Sequence, residues 1–121
     1  MKILKLVKNG EVLSDYIEDA SNFYRRFMGL MYRKSIPEDH GLLLTPCNEI
    51  HTFGMRFDID TVTLSKDNEV LFIDEAVKPN KIRKRVEGGH KVLELNSNMA
   101  AKLSIAVGDK LEFLPAENKE V

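Results

Sequence analysis

The side chains best suited to chemistry are concentrated in one segment, residues 47–60. It holds the chain's one cysteine, Cys47, one of its three histidines, His51, and the charged residues Arg56, Asp58 and Asp60. A thiol activated by an imidazole is the pair that many hydrolases and transferases use for nucleophilic catalysis. Cys47 and His51 are therefore the candidate catalytic residues.

The spacing of Cys47 and His51 decides whether they can act together. In an extended segment they would lie about 13 Å apart, since each residue advances a strand by roughly 3.3 Å. A turn after Pro46 would bring them together as i and i+4 neighbours. Papain-like enzymes take the histidine from a distant part of the chain, which here means His40 or His90. We favour a packed thiol, because free cysteine is among the most buried residue types, and keep the cysteine hydrolase or transferase as the rival.

Arg56 and Asp60 suggest a different kind of site. In a strand that continues to residue 64, Asp60 shares a face with the apolar Val62, so its carboxylate needs Arg56 or backbone N–H groups as partners. The functional interpretation is the polar floor of a ligand pocket with Phe53 and Met55 as apolar walls. The structural interpretation is an ion pair, or a carboxylate that holds a loop in place.

Metal and nucleic-acid sites have weaker support. The chain lacks the CxxC, HxH and HExxH spacings of metal ligands, so we predict no metal and no cofactor. The loop 78–91 carries five cations within positions 78–86, which could hold an RNA backbone. However, only Phe72 lies nearby as a stacking aromatic, and the net charge of the chain is −1. A solvated loop is favoured, with an RNA-binding module kept as an alternative.

Length and composition predict the setting of this segment. A chain of 121 residues with 43% hydrophobic and 31% charged residues is typical of one globular domain. We assign a single β-rich domain to residues 1–115 and a flexible tail to residues 116–121. There is no signal-peptide pattern and no stretch near the roughly 20 apolar residues of a membrane helix, so we predict a cytoplasmic protein without membrane contact. The oligomeric state stays open.

Hydrophobic periodicity and turn residues predict the elements that position the segment. Strands are predicted at residues 3–7, 11–13, 42–45, 50–64, 70–77, 92–95 and 111–114. Two hairpins are predicted among them, one with its turn at Asn9-Gly10 and one with its turn at residues 66–69. One helix would follow Ser14 or Asp15 and bury Ala20, Phe23, Phe27, Leu30 and Met31. A second would follow Asn96 or Ser97 and bury Met99, Ala100, Leu103 and Ile105. The predicted class is α+β, mainly β, with a small barrel-like antiparallel sheet of short strands and two short helices.

Three runs, taken in order, also resemble a known prokaryotic family, domain of unknown function 192. They are residues 27–33 (FMGLMYR), residues 46–60 (PCNEIHTFGMRFDID) and the closing segment from Val92 to Asp109. The resemblance spans nearly the whole chain, from about Leu6 to Leu114. It implies a stand-alone β-rich domain with no established activity, cofactor or catalytic residues.

The same resemblance bears on the candidate residues. One branch of the family carries a Phe-Trp-Met-Lys-Asn-Thr type of run where this chain has residues 53–58. That branch has counterparts of Met55, of the cation Arg56 and of Asp60, but no evident counterparts of Cys47 and His51. We therefore expect a non-catalytic domain that binds a small molecule or a protein partner around residues 47–60. Its expected ligand contacts are Phe53, Met55, Arg56 and Asp60.

Overall fold

The computed structural model describes residues 2–22, 26 and 28–120, with side chains up to residue 116. Seven strands form one sheet in the order β5-β4-β6-β3-β2-β1-β7. Their bounds are β1 Lys2–Lys8, β2 Glu11–Ala20, β3 Gly41–Leu44, β4 Ile59–Leu64, β5 Val70–Val77, β6 Lys91–Asn96 and β7 Glu112–Glu120. A short helix, α1, spans Met99–Lys102. All strand pairs are antiparallel except β2–β3, which is parallel.

The two predicted hairpins form where their turn residues indicate. Asn9 and Gly10 have φ angles of 50° and 79°, the paired positive values that join two twisted strands tightly. Between β4 and β5, Asn68 also has a positive φ, and the Ser65 N–H donates to the Glu69 carbonyl. Local turn chemistry therefore sets these two connections.

The helix predicted after Ser14 or Asp15 is wrong over residues 14–20, which belong to β2. The Ser14 hydroxyl donates to the Asp39 carbonyl and accepts from the Tyr16 N–H instead of starting a helix. Pairing with β1 on one side and β3 on the other gives this segment its strand geometry. Tertiary pairing thus outweighs a helical spacing of apolar residues.

The remainder of that predicted helix is described only in part. Arg26 and Met28 have helical backbone, and the Arg26 N–H donates to the Asn22 carbonyl. Phe23 and Phe27 lie outside the described residues. Leu30 is buried, as expected of the predicted apolar face.

The strand predicted over residues 50–64 is wrong before Ile59, where β4 begins. Gly54 has a φ of 79°, and the Met55 N–H donates to the Thr52 carbonyl, so the chain turns there. Residues 45–58 and 78–90 lie together, as shown by the isolated bridge between His51 and Ile82. We call these two stretches the cover segments.

The chain ends also differ from the predicted bounds. The last strand was predicted at residues 111–114, but β7 is Glu112–Glu120 and continues along the sheet edge through Pro115. Helix α1 is preceded by Asn98, in the left-handed region, and not by Asn96 or Ser97. Asn96 instead donates from its side-chain amide to the carbonyls of residues 36–38.

The sheet has a buried cluster on each face. One cluster lies under α1 and includes Leu6, Val62, Leu93 and Leu95. The other lies under the cover segments and includes Leu42, Leu44, Ile59, Met55 and Val92. The sheet is not closed, although an isolated bridge joins Glu69 to Lys110 beside its two edge strands. The predicted α+β, mainly β class is confirmed. Within the described residues, no helix has the length and apolar character needed to cross a membrane.

Candidate functional site

The structure places Cys47 in a half-buried position that does not activate its thiol. The Sγ–H donates to the Glu49 carbonyl at 3.1 Å, and burial is the main reason the pKa of the thiol is raised above its ordinary value. A reactive cysteine needs the opposite shift, towards the thiolate. His51 is exposed, and its Nδ1 accepts the Phe53 N–H at 3.3 Å. No hydrogen bond joins these two described side chains.

Asp60 lies on the other face of the sheet, away from Cys47. Its side chain is fully buried and accepts three backbone N–H groups, those of Ala76, Asn98 and Ala100, at 2.9 to 3.1 Å. The carboxylate therefore anchors β5 and the start of α1 to β4. Its parity with Val62 is as predicted, and its partners are backbone groups and not Arg56.

The other expected ligand contacts are spread over several surfaces. Phe53 is exposed beside His51, with ring centroids 5.4 Å apart. Met55 is buried in the cluster under the cover segments. Arg56 is exposed, and no ion pair or hydrogen bond links it to Asp60 among the described contacts. The structure therefore does not bring Phe53, Met55, Arg56 and Asp60 to one cavity, and their ligand-binding role stays a prediction.

A row of acidic side chains crosses the face under the cover segments. Strand register aligns Glu18 on β2, Glu94 on β6 and Asp74 on β5, with Leu42 and Thr61 between them. The two outer carboxylates are paired with arginines. Arg33 binds Glu18 through two bonds of 2.6 and 2.8 Å, and Arg83 lies 2.8 Å from Asp74.

Glu94, in the centre of that row, has no such partner. It is 5% exposed, and its Oε1 has no hydrogen-bond partner among the described residues. Burial raises the pKa of this carboxyl to about 7, although the charge of Arg33 pulls it downwards. At neutral pH this group is therefore divided between its neutral and ionised forms.

Glu94 lines a small cavity of about 80 Å³, which we call the Glu94 cavity. Its walls include the apolar side chains of Leu30, Met31, Leu44 and Met55. Further residues at its boundary are Arg26, Gly29, Cys47, Glu49, Ile50 and His51. A carboxyl group with a free oxygen thus faces a mostly apolar space.

A larger depression lies between the β4–β5 face and the cover segments, with a volume of about 640 Å³. We call it the β4–β5 cleft. Exposed apolar side chains, Phe72 and Ile82, lie on it together with Leu71, Val86 and Val92. Its polar residues include Thr61, Thr63 and the Asp74–Arg83 ion pair. Glu49 and Ile50 line both this cleft and the Glu94 cavity, so the two spaces are neighbours.

Sequence reasoning missed Glu94 and both cavities. The run Val92-Leu93-Glu94-Leu95 alternates in a way that places Glu94 on a solvent-facing side of a strand. The one sequence feature that marks Glu94 is its position as a single acidic residue inside a strongly apolar run. Its burial could not be predicted from that run, because the cover segments bury the second face of β6.

Comparisons with known proteins agree with the fold. The family described as Uncharacterized ACR, DUF192, matches residues 5–113. The chain belongs to this family. As a DUF192 member it is similar to the UPF0127 protein PF1050 of Pyrococcus furiosus, with 29% identity over 112 residues, covering 88% of this chain and 94% of that protein. The predicted family is thus confirmed, and the family is an uncharacterised one.

Two solved structures resemble this DUF192 chain. A protein of unknown function from Novosphingobium aromaticivorans DSM 12444 has a TM-score of 0.78 and 22% identity, covering 90% of this chain and 82% of that one. A proposed transcription regulator from Sinorhizobium meliloti 1021 has a TM-score of 0.78 and 27% identity, covering 91% of each chain. The first likeness concerns the fold alone.

Proposed function

We propose that this chain is a non-catalytic binding protein whose small-molecule ligand occupies the β4–β5 cleft. The observation that carries the proposal is the cleft itself, with a volume of about 640 Å³ and a mostly apolar accessible surface. Polar and charged side chains also line it: Asn48, Glu49, Thr61, Thr63, Asp74, Arg83, Lys84 and Arg85. Sites for small molecules are typically 300–1,000 Å³, mostly apolar, with a small number of polar groups that orient the ligand. The ligand would therefore have an apolar body of several rings or an equivalent chain.

The exposure of Ile82 supports this choice of cleft. Its side chain is 72% exposed, and the exposed Phe72 lies on the same cleft. A patch of neighbouring apolar side chains exposed to solvent is typical of a surface that binds a ligand or another protein. Backbone hydrogen bonds from Arg83 to Ile50 and from Val86 to Asn48 hold the cover segments in position, so the cleft is formed before a ligand arrives.

Catalysis at Cys47 receives less support than binding. The raised pKa of its thiol and the absence of a described Cys47–His51 bond leave no activated nucleophile. Nucleic-acid binding through the loop 78–91 is also weaker. Three of its cations lie close to carboxylates, Lys78 by Asp58, Arg83 by Asp74 and Arg85 by Glu49.

The test uses N-phenyl-1-naphthylamine, a neutral apolar dye whose fluorescence rises in an apolar site. We expect saturable binding to the folded chain, with perturbed backbone NMR signals at Thr63, Phe72 and Ile82. Ile82→Asp should weaken binding at least about tenfold, because losing a buried isoleucine contact is worth roughly 1.5–3 kcal/mol.

Val107 provides a matched control, since it is 63% exposed and does not line the cleft. Val107→Asp should change the dye affinity less than about twofold, because surface substitutions away from the site have small effects. Dye binding that is absent, or equally sensitive to both substitutions, would overturn the proposed site.

A further inference from the structure

The Oε1 atom of Glu94 needs an explanation because a buried acceptor without a donor is destabilising. Buried polar atoms in folded proteins nearly always have a partner. In the described part of this chain, Oε1 of Glu94 is the buried side-chain atom that lacks one. It faces the Glu94 cavity, which a ligand group could enter.

The described hydrogen bonds of three donors near the cavity go to other acceptors. Arg33 gives both of its terminal nitrogens to Glu18. Arg26 donates from Nη1 to the carbonyls of Ser21 and Thr45. The Cys47 thiol donates to the Glu49 carbonyl. No described residue donates to Oε1 of Glu94, which leaves this oxygen available to a donor on a ligand.

The cavity limits the size and character of that donor. Its volume of about 80 Å³ accommodates two or three groups of water size, at roughly 30 Å³ each. Methionine and leucine side chains form much of its wall, so methylene groups fit there better than a cluster of waters. The space therefore fits a compact donor on a short alkyl stem.

The cavity adjoins a larger groove on the surface. A groove of about 630 Å³ lies beside it, and Arg26, Glu49, Ile50 and His51 line both spaces. A ligand group could enter from this groove while the rest of the ligand stays outside. Glu49 and Ile50 also line the β4–β5 cleft, where we place the ligand body.

We infer that the Glu94 cavity is a recognition pocket for a primary ammonium group on a short alkyl stem. This deepens the proposed function, on which it rests, by naming the polar head of the ligand. The ammonium would donate to Oε1 of Glu94, and its methylene groups would pack against Met31, Leu44 and Met55. A compact ammonium suits this space better than the broader, planar guanidinium.

The charge of Glu94 predicts how binding depends on pH. A cation in the pocket favours the ionised carboxylate, so binding below neutral pH must displace a proton. Among the residues that the structure describes, the other titratable groups around Glu94 are the Arg33–Glu18 pair and, at the cavity boundary, Arg26, Cys47, Glu49 and His51. Glu18 is paired with Arg33, and Glu49 lies 3.8 Å from Arg85, so Glu94 is the carboxyl here that offers an added cation a buried oxygen without a described partner.

The probe for this inference is ethylammonium, with ethanol as the neutral control of similar shape. In an NMR titration we expect ethylammonium to perturb the amides of Gly29, Cys47 and Glu94. Its affinity should rise about tenfold from pH 6 to pH 8, as the ionised fraction of a carboxyl with a pKa near 7 rises. Ethanol should bind at least about tenfold more weakly than ethylammonium at pH 8, since it lacks the charge.

The variant Glu94→Gln keeps the shape of the side chain and removes its charge. We expect it to lose at least about tenfold in ethylammonium affinity at pH 8 and to lose the pH dependence. Glu112→Gln, at an exposed glutamate, is the matched control and should bind as the parent chain does. Calorimetry on the parent chain in buffers of different ionisation enthalpy gives a second readout. At pH 6, binding of one ethylammonium should release about one proton from Glu94 to the buffer.

The outcomes separate this inference from the proposed function. Ethylammonium that fails to bind, binds no better than ethanol or binds Glu94→Gln equally well would overturn the ammonium pocket. If the apolar dye still binds in an Ile82-dependent way, the proposed function stands without it. Failure of the dye together with failure of ethylammonium would overturn both.

Discussion

Asp60 and Glu94 are two buried carboxylates on neighbouring strands of one sheet, and they face opposite sides of it. In the antiparallel β4–β6 register Asp60 lies opposite Leu95, and Thr61, the next residue of β4, lies opposite Glu94. Asp60 accepts three backbone N–H groups. One oxygen of Glu94 accepts none from the described chain.

The difference comes from what covers each face. Around Asp60, the start of α1 and the bend at Ala76, where φ is 50°, bring backbone N–H groups to the carboxylate. Around Glu94, the cover segments direct their donors elsewhere and leave space. A satisfied buried carboxylate holds a fold together, whereas an unsatisfied one is available to a ligand. Substitutions at the two positions should therefore have opposite effects on stability.

The largest effect is expected on the Asp60 side. Asp60→Ala leaves three N–H groups, one buried and two partly buried, without their acceptor and should lower the free energy of unfolding by about 3–5 kcal/mol. Asp60→Asn should cost about 1–3 kcal/mol, because its oxygen can still accept from Ala76 and Asn98 while its NH₂ faces the Ala100 N–H. Urea denaturation at pH 7 measures both losses.

Asp67→Asn is the control for Asp60→Asn, because Asp67 is exposed in the turn between β4 and β5. It should change the free energy of unfolding by less than about 0.5 kcal/mol. An unchanged urea midpoint for Asp60→Asn would show that Asp60 does not stabilise the fold. The proposed difference between Asp60 and Glu94 would then be wrong.

The effect expected on the Glu94 side has the opposite sign at high pH. The pKa of Glu94 is raised from 4.5 to about 7 in the folded chain, so folding favours the neutral form. Its contribution to stability is fully present below pH 4.5 and is lost as pH rises through 7. The glutamine in Glu94→Gln does not titrate. Between pH 4.5 and pH 8 the free energy of unfolding of this variant should therefore rise by roughly 3 kcal/mol relative to that of the parent chain.

Urea denaturation of the parent chain and Glu94→Gln at several pH values checks this prediction. Glu112→Gln, at an exposed position, should follow the parent chain at each pH. A stability difference between Glu94→Gln and the parent chain that stays constant with pH would show that Glu94 is not held neutral by burial.

The smallest effect is expected for the thiol of Cys47, which shares the Glu94 cavity. Because burial raises the pKa of this thiol above its ordinary value, the folded chain should react slowly with iodoacetamide at pH 7 and faster only at alkaline pH. The urea-unfolded chain is the reference and should react faster than the folded chain at neutral pH. A fast reaction of the folded chain with a midpoint well below neutral would favour the cysteine enzyme over the binding protein.

Local signals in the sequence were sufficient for several elements. Asn9-Gly10 predicts the first hairpin because both residues tolerate positive φ. The polar turn at 66–69 between two apolar runs predicts the β4–β5 pair. The alternation around Asp60 predicts its burial, since neighbours two apart share a face of a strand.

The helix predicted to follow Ser14 or Asp15 shows where local signals fail, because residues 14–20 form part of β2. A spacing of apolar residues can suit either a helix face or a twisted strand, and the choice here depends on β1 and β3, which flank β2. The same holds for residues 50–58, whose β-rich composition predicts a strand. Their backbone is irregular because their partner is the segment 81–86 and not a neighbouring strand.

The sequence by itself determined the class of fold and the family, because the strand pattern and the three family runs extend along the chain. It also determined two hairpins and the burial of Asp60, because these depend on residues close together in the chain. Only the tertiary structure decided that Cys47 and His51 are not joined and that Asp60 binds backbone groups. It alone brought Glu18, Glu94 and Asp74 into one row and left one oxygen of Glu94 without a hydrogen-bond partner in the described part of the chain. Those features depend on contacts between segments far apart in sequence, and the cover segments create them by burying a face of the sheet that alternation alone assigns to solvent.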